Sequence, residues 1–167
     1  DSYMVNELVS LVDRINDTSL TLIKLLTEME QLCLQLPEFV VIKSIPSIGE
    51  RLSIRLLAEI GDISKYNSSK ALIAYAGLDP MIMQSGKQSG EHMHITKKGN
   101  SFLRSSLYLL ITCLCRYNPD SKIALYVSKK KNDGLHPKAA KIAGCNKLLR
   151  IIYSMLSNGT LYSETQQ

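Results

Sequence analysis

The segment "MQSGKQSGEHMHITKKGN", residues 83–100, gathers the side chains best suited to chemistry: Ser85 and Ser89, each followed by glycine, His92 and His94, and Lys87, Lys97 and Lys98. A serine hydroxyl is a weak nucleophile until a base or a metal removes its proton. Gly86 leaves room for a sugar-phosphate chain, and the lysines can neutralise phosphates. Composition alone equally describes a solvated surface loop. On an extended stretch, His92 and His94 point to one face as a general base or as metal ligands, but two ligands do not make a site. Asp79 and Glu91 flank the serine, yet residues 43–167 contain no acidic cluster suited to a metal.

A second set lies upstream. "SIPSIGERLSIRLLAEIG", residues 44–61, resembles a helix-hairpin-helix, whose turn offers backbone N–H groups at a helix start to a nucleic-acid phosphate. Gly49 permits close approach, the helix dipole favours an anion, and Arg51 and Arg55 add charge. Ser47 stands where that pattern usually has glycine, so its side chain can crowd the grip. A purely structural turn is the competing reading.

Charge is distributed to match. Residues 1–42 carry two basic and seven acidic residues, a net −5, whereas residues 43–167 carry 18 basic and eight acidic, a net +10. The basic part calls for an anionic partner, nucleic acid foremost. A membrane surface would need bulky apolar anchors, and the chain has no Trp and two Phe. No apolar run approaches the roughly 18 residues of a membrane span, and residues 1–20 lack the order of a signal peptide, which makes a cytoplasmic protein the simplest expectation. Cys33, Cys113, Cys115 and Cys145 show no CxxC spacing and read as reduced core thiols rather than zinc ligands.

The elements that must position these groups are helical. Leu8, Leu11, Ile15, Leu22, Leu25, Met29, Leu32 and Leu36 form a heptad seam broken at Thr18, which pairs with a partner helix or packs on the chain's own domain. Pro37 is expected to close that helix. Short elements follow: a helix, a tight turn at 45–49, and a second helix ending at Gly61. Asn67 or Ser68 caps a further helix, terminated by Gly77. Asn100 caps a core helix with Leu103, Leu107, Leu110, Ile111 and Leu114 on one face, stopping before Pro119. A helix over 121–130 and one from Pro137 to just before Gly159, entered through His136, complete an all-α fold. The expected domains are a coiled-coil dimerisation helix over 1–36, a compact helical domain over 37–162 with the hairpin-like segment, and a tail over 163–167.

Taken together, "IPSIG", "AYAGLDP", "QSG", "ITKKGNSFLR" and "NKLLRIIYSMLSNGTLY" resemble, in order and spacing, the C-terminal part of the IS-one-ten family of insertion-sequence transposases, relatives of the pilin-gene invertase. The likeness covers roughly residues 37–162. Its most specific pieces are the Gly-Leu-x-Pro-x₄-Ser-Gly run at Gly77–Gly86 and the Lys-x-Gly-Asn-x₂-Leu-Arg run at Lys97–Arg104. The resemblance implies a DNA recombinase guided by a bridging RNA, with Mg²⁺ held by a separate ribonuclease-H-like domain and a serine attacking DNA. That serine maps onto Ser85, five residues after Pro80, rather than onto Ser89. Gly86, Lys87, Lys97, Lys98, Asn100 and Arg104 join Gly49, Arg51 and Arg55 as expected nucleic-acid contacts, and no metal ligand is expected in this chain.

Because the chain begins inside the heptad helix, the metal-holding domain is expected to be missing, leaving a fragment that binds nucleic acid without recombining it. Such a protein would be bacterial or archaeal, cytoplasmic and nucleoid-associated, and at least dimeric through residues 8–36. A non-catalytic DNA- or RNA-binding helical module is the alternative. A helical scaffold that only oligomerises is a third, separable by its indifference to salt.

Overall fold

The computed structural model describes residues 2–80 and 95–163. Helices α1 (Ser2–Cys33), α2 (Pro37–Lys43), α3 (Glu50–Ile60), α4 (Ser69–Tyr75), α5 (Ser101–Tyr117), α6 (Lys122–Asn132) and α7 (Pro137–Asn158), with a 3₁₀ turn at Ile63–Lys65, make the fold all-α. Among the described residues the only β pairing is an isolated antiparallel bridge between Pro80 and Ile95. Two compact units divide between Leu36 and Pro37.

In the first unit, α1 has no buried residue, and its seam side chains are exposed, among them Leu11, Ile15, Leu22 and Leu25. Thr18 Oγ1 donates to Arg14 O within the helix at 2.7 Å, so this polar residue in the seam carries no unmet donor. Pro37 does not close α1, as its sequence position suggested, but opens α2. The long helix ends at Cys33, and Leu36, whose N–H bonds Cys33 O at 2.9 Å, leaves the seam. The same missing N–H that breaks a helix interior is harmless at a first helical position, where no intrahelical acceptor is available.

The second unit is organised by α7, which packs against α2, α4, α5 and α6. Its buried side chains Leu148, Leu149 and Ile152 join Leu103, Leu107, Leu110, Ile111 and Leu114 of α5, all fully buried, as the 3.6-residue spacing demands. Gly144 sets the closeness of this packing: a Cβ there would lie 2.5 Å from Val127 Cγ2. Caps fix the boundaries. Ser68 Oγ accepts from Ala71 N, Asn100 Oδ1 from Phe102 N and Leu103 N, Ser121 Oγ from Ala124 N, and His136 Nδ1 from Lys138 N. Gly159 ends α7 in the left-handed conformation. Helix α6 runs two residues beyond the expected Lys130.

Candidate nucleic-acid interface

The two most specific sequence runs, 20 positions apart at Gly77 and Lys97, fold directly against each other. Helix α4 ends in a Schellman turn, with Gly77 N donating to Ala74 O at 2.9 Å, Leu78 N to Ile73 O at 3.1 Å, and Gly77 at φ 65°. The chain then meets the returning segment Ile95–Asn100. Lys97 N donates to Gly77 O at 3.1 Å, Thr96 N to Asp79 O at 2.9 Å, and Asn100 N to Tyr75 O at 2.6 Å. Thr96 Oγ1 adds a bond of 2.7 Å to Asp79 Oδ1. With the Pro80–Ile95 bridge, these bonds form a stem that fixes both ends of residues 81–94.

Glycine is required in this stem by crowding. A Cβ on Gly99 would collide with Tyr75 O and sit 2.5 Å from Gly77 N, and one on Gly77 would sit 2.7 Å from Gly99 N. Arg104 Nη1 donates to Ala76 O at 2.8 Å, covering a carbonyl at the C-terminal end of α4, where a cation suits the helix dipole. Asn100 is similarly committed: Oδ1 caps α5, while Nδ2 donates to Glu59 Oε2 at 2.7 Å and Tyr75 Oη at 3.1 Å. Both residues therefore have structural work. Lys97 and Lys98, by contrast, are exposed, and Lys97 holds a positive φ of 55°.

Ser85, Gly86 and Lys87 lie outside the described residues, as do Ser89, Glu91, His92 and His94. The structure fixes where their segment begins and ends.

The upstream turn joins α2 to α3. Ser47 has φ 59°, the left-handed conformation that glycine would adopt without strain. Gly49 precedes α3 with no side-chain cap, and a Cβ there would meet nothing within 4 Å. The first N–H groups of α3 thus have no capping side chain, as an anion-accepting helix start requires. Glu50 adds an opposing charge, offset by Lys43 Nζ at 3.3 Å.

Arg51, Arg55 and Glu59 recur at four-residue intervals along one face of α3. Glu59 holds Asn100, Arg55 Nη2 bonds Ser105 Oγ at 3.3 Å, and the Arg55 guanidinium sits 5.7 Å from the centre of the Phe102 ring. The structure therefore brings Arg55 to the N-terminal turn of α5, while Arg51, one turn earlier on α3, is exposed. Phe102 escaped sequence reasoning. It is 62% exposed, an aromatic face beside a cation, and the residue i+2 from a cap gives no hint of this until α3 is packed on α5.

Among the described residues no three His, Cys, Asp or Glu side chains are grouped to hold a metal. Burial pushes the Cys145 thiol up to about 12 and raises that of Cys115, leaving both as neutral packing groups. No helix among the described residues is long and apolar enough to cross a membrane.

A braced stem carrying two exposed lysines, and an uncapped helix start at α3, are set in an all-α domain. A family model described as "Transposase IS116/IS110/IS902 family" matches residues 40–126, and the chain belongs to that family. It is 36% identical over 115 residues to the pilin gene-inverting protein of Moraxella bovis, covering 68% of this chain and 35% of that protein. A 30% identity over 123 residues relates it to the transposase for insertion sequence element IS1111A of Coxiella burnetii, covering 72% and 33%. The insertion element IS116 protein of Streptomyces clavuligerus is 28% identical over 124 residues, covering 74% and 30%. The chain spans about a third of the length of these curated relatives.

Proposed function

We propose that this chain is the serine-bearing, nucleic-acid-binding part of a DNA recombinase, in which Ser85 Oγ attacks a DNA phosphodiester, forms a phosphoserine link and releases the leaving strand as a hydroxyl end. The observation that carries the reading is the stem. Two runs that define the family likeness are used to hold the roots of the Ser85 segment with backbone bonds of 2.6–3.1 Å, a rigidity that an idle surface loop does not need. Exposed Lys97 and Lys98 flank it, and Gly86 and Lys87 adjoin the serine in sequence. Gly49, Arg51 and Arg55 supply a second, sequence-indifferent phosphate contact.

The proposal also includes a guide RNA, a ribonuclease-H-like domain that holds Mg²⁺, and a cytoplasmic, nucleoid-associated setting, all from the family resemblance. Pairing of α1 with a second copy is supported by its exposed heptad seam, and Thr18 can enter that seam because its hydroxyl is already bonded.

The decisive test uses the full-length transposase with its DNA and guide RNA. Ser85→Ala should eliminate the covalent protein–DNA species seen on denaturing gels, whereas Ser89→Ala should retain it; recombination by Ser85→Ala at the wild-type rate would refute the nucleophile. For the chain alone, duplex affinity should fall by about 0.9 log units per contacted phosphate for each tenfold rise in salt. A curve flat in salt would rule out the phosphate contacts.

A further inference from the structure

Helices α6 and α7 enclose a cleft of ≈ 630 Å³, on whose wall stand Lys122, Tyr126, Asn146, Lys147, Arg150 and Ser154. Among the described residues that line it, none is acidic. Lys122 and Tyr126 are one turn apart on α6, and Lys147, Arg150 and Ser154 follow one face of α7. Three cations converging with no carboxylate among the described lining residues repel one another, and an anion between them relieves that repulsion. Lys147 Nζ lies 4.7 Å from the centre of the Tyr126 ring, so the aromatic face holds the ammonium at the wall rather than leaving it free in solvent.

Asn146 adds a second feature. Its Nδ2 donates to Leu78 O at 3.2 Å, which fixes the orientation of the amide. Its Oδ1 is buried and, among the described residues, has no hydrogen-bond partner. A buried acceptor left unpaired is costly, and an N–H donor brought by an occupant removes the cost. The volume lies in the range of about 300–1,000 Å³ typical of sites for small ligands, and a base reaches into such a space only when it is unpaired.

We infer that the cleft between α6 and α7 binds one unpaired nucleotide of a DNA or RNA strand, with its phosphate on Lys122, Lys147 and Arg150 and its base toward Tyr126 and Asn146. The inference rests on the reading of this chain as a nucleic-acid-binding module and narrows one of its ligands to unpaired strand. It also places that nucleotide one hydrogen bond from the stem, because Asn146 grips the carbonyl of Leu78, two residues before Pro80.

Fluorescence anisotropy on the whole chain tests it with three labelled probes: a single-stranded DNA, a single-stranded RNA and a blunt duplex DNA. The Lys147→Ala/Arg150→Ala variant should lose about tenfold or more in affinity for at least one single-stranded probe, as expected for removing charge-assisted bonds. Its duplex affinity should change by less than about twofold, as should every affinity of Lys129→Ala/Lys131→Ala, which removes equal charge outside the cleft lining. Lys122→Ala, with a smaller loss of the same kind, replaces the double variant if circular dichroism shows the latter misfolded. The probe with the larger loss identifies the strand, and either identity supports the cleft. Equal losses in the cleft and control variants, or equal losses for duplex and single strand, overturn it. A wild-type chain that binds duplex but neither single strand overturns the inference and leaves the proposed function standing; a chain that binds no probe at low salt overturns both.

Discussion

The stem and the α2–α3 turn use similar residues to opposite ends. Each combines glycine, a non-glycine residue with positive φ and cations, yet the stem turns its glycines and Arg104 inward, with Lys97 and Lys98 exposed, while the turn leaves its groups open. A Cβ on Gly99 would strike the backbone of Tyr75, whereas one on Gly49 would meet nothing. Arg104 bonds Ala76 O, whereas Arg51 is exposed and Arg55 rests on the exposed ring of Phe102 and the hydroxyl of Ser105. Residues singled out in the sequence as nucleic-acid contacts therefore divide into those that build a position and those that face outward from it.

The sharpest break in that comparison comes from paired glycine substitutions. Gly99→Ala should destabilise the chain by about 3 kcal/mol or more, since backbone on both sides must move. Gly49→Ala should change stability by no more than about 1 kcal/mol, because its φ of −88° suits alanine and the space is open. Thermal melts followed by circular dichroism measure both; equal losses would erase the distinction.

Asn100 tests whether the stem and α3 are truly braced together. Asn100→Ala removes the cap and both amide bonds and should cost about 2 kcal/mol, measured by urea unfolding. Asn100→Asp keeps the capping acceptor but loses the donor and sets a carboxylate against Glu59 Oε2, now 2.7 Å from Nδ2. It should be destabilised as well, by about 1 kcal/mol or more at neutral pH and low salt. An Asp variant as stable as wild type would show that capping alone explains the residue.

Much of this was legible in the sequence because it is local. The caps Ser68 and Asn100, the terminators Gly77 and Gly159, and the buried face of α5 follow from side-chain chemistry within a turn or two, whereas Ser121, expected as the first residue of α6, is its cap. Pro37 misled because the same ring stops one helix and starts another. What sequence could not supply was distance: the approach of Gly77 to Gly99, the bond from Asn100 to Glu59, and the meeting of Arg55 with Phe102 all need the packing of α3, α4 and α5. Asn100 and Arg104 were legible as important residues, but their internal partners were not. The same non-local packing conceals Asn146, whose partner Leu78 lies 68 residues away.

On the outward side, Arg51→Ala and Arg55→Ala should each leave stability within about 0.5 kcal/mol and lower duplex affinity a few-fold. The slope of log affinity against log salt should become shallower by about 0.9 for each phosphate that the variant no longer neutralises. Arg104→Ala should do the reverse, reducing the melting temperature while leaving the slope nearly unchanged. Isothermal binding at two salt concentrations, with melts of the same samples, separates them. If Arg104→Ala flattens the slope as much as Arg51→Ala, the inward and outward classes collapse.

Ser47 supplies the smallest effect. At φ 59° it holds a conformation that costs a non-glycine residue about 1–2 kcal/mol, while glycine would adopt it freely but give back about 0.4–1 kcal/mol through its more flexible unfolded chain. Ser47→Gly should therefore stabilise the protein by about 0.5–1 kcal/mol in urea unfolding. Its consequence for binding is independent of that balance. If the turn receives a phosphate at the start of α3, deleting a side chain two residues before Gly49 opens the approach and duplex affinity should rise. If the turn only joins two helices, stability should rise and affinity should not. Unchanged affinity with raised stability would move the α2–α3 turn into the same class as the stem, leaving Arg51 and Arg55 to meet phosphate without help from the backbone.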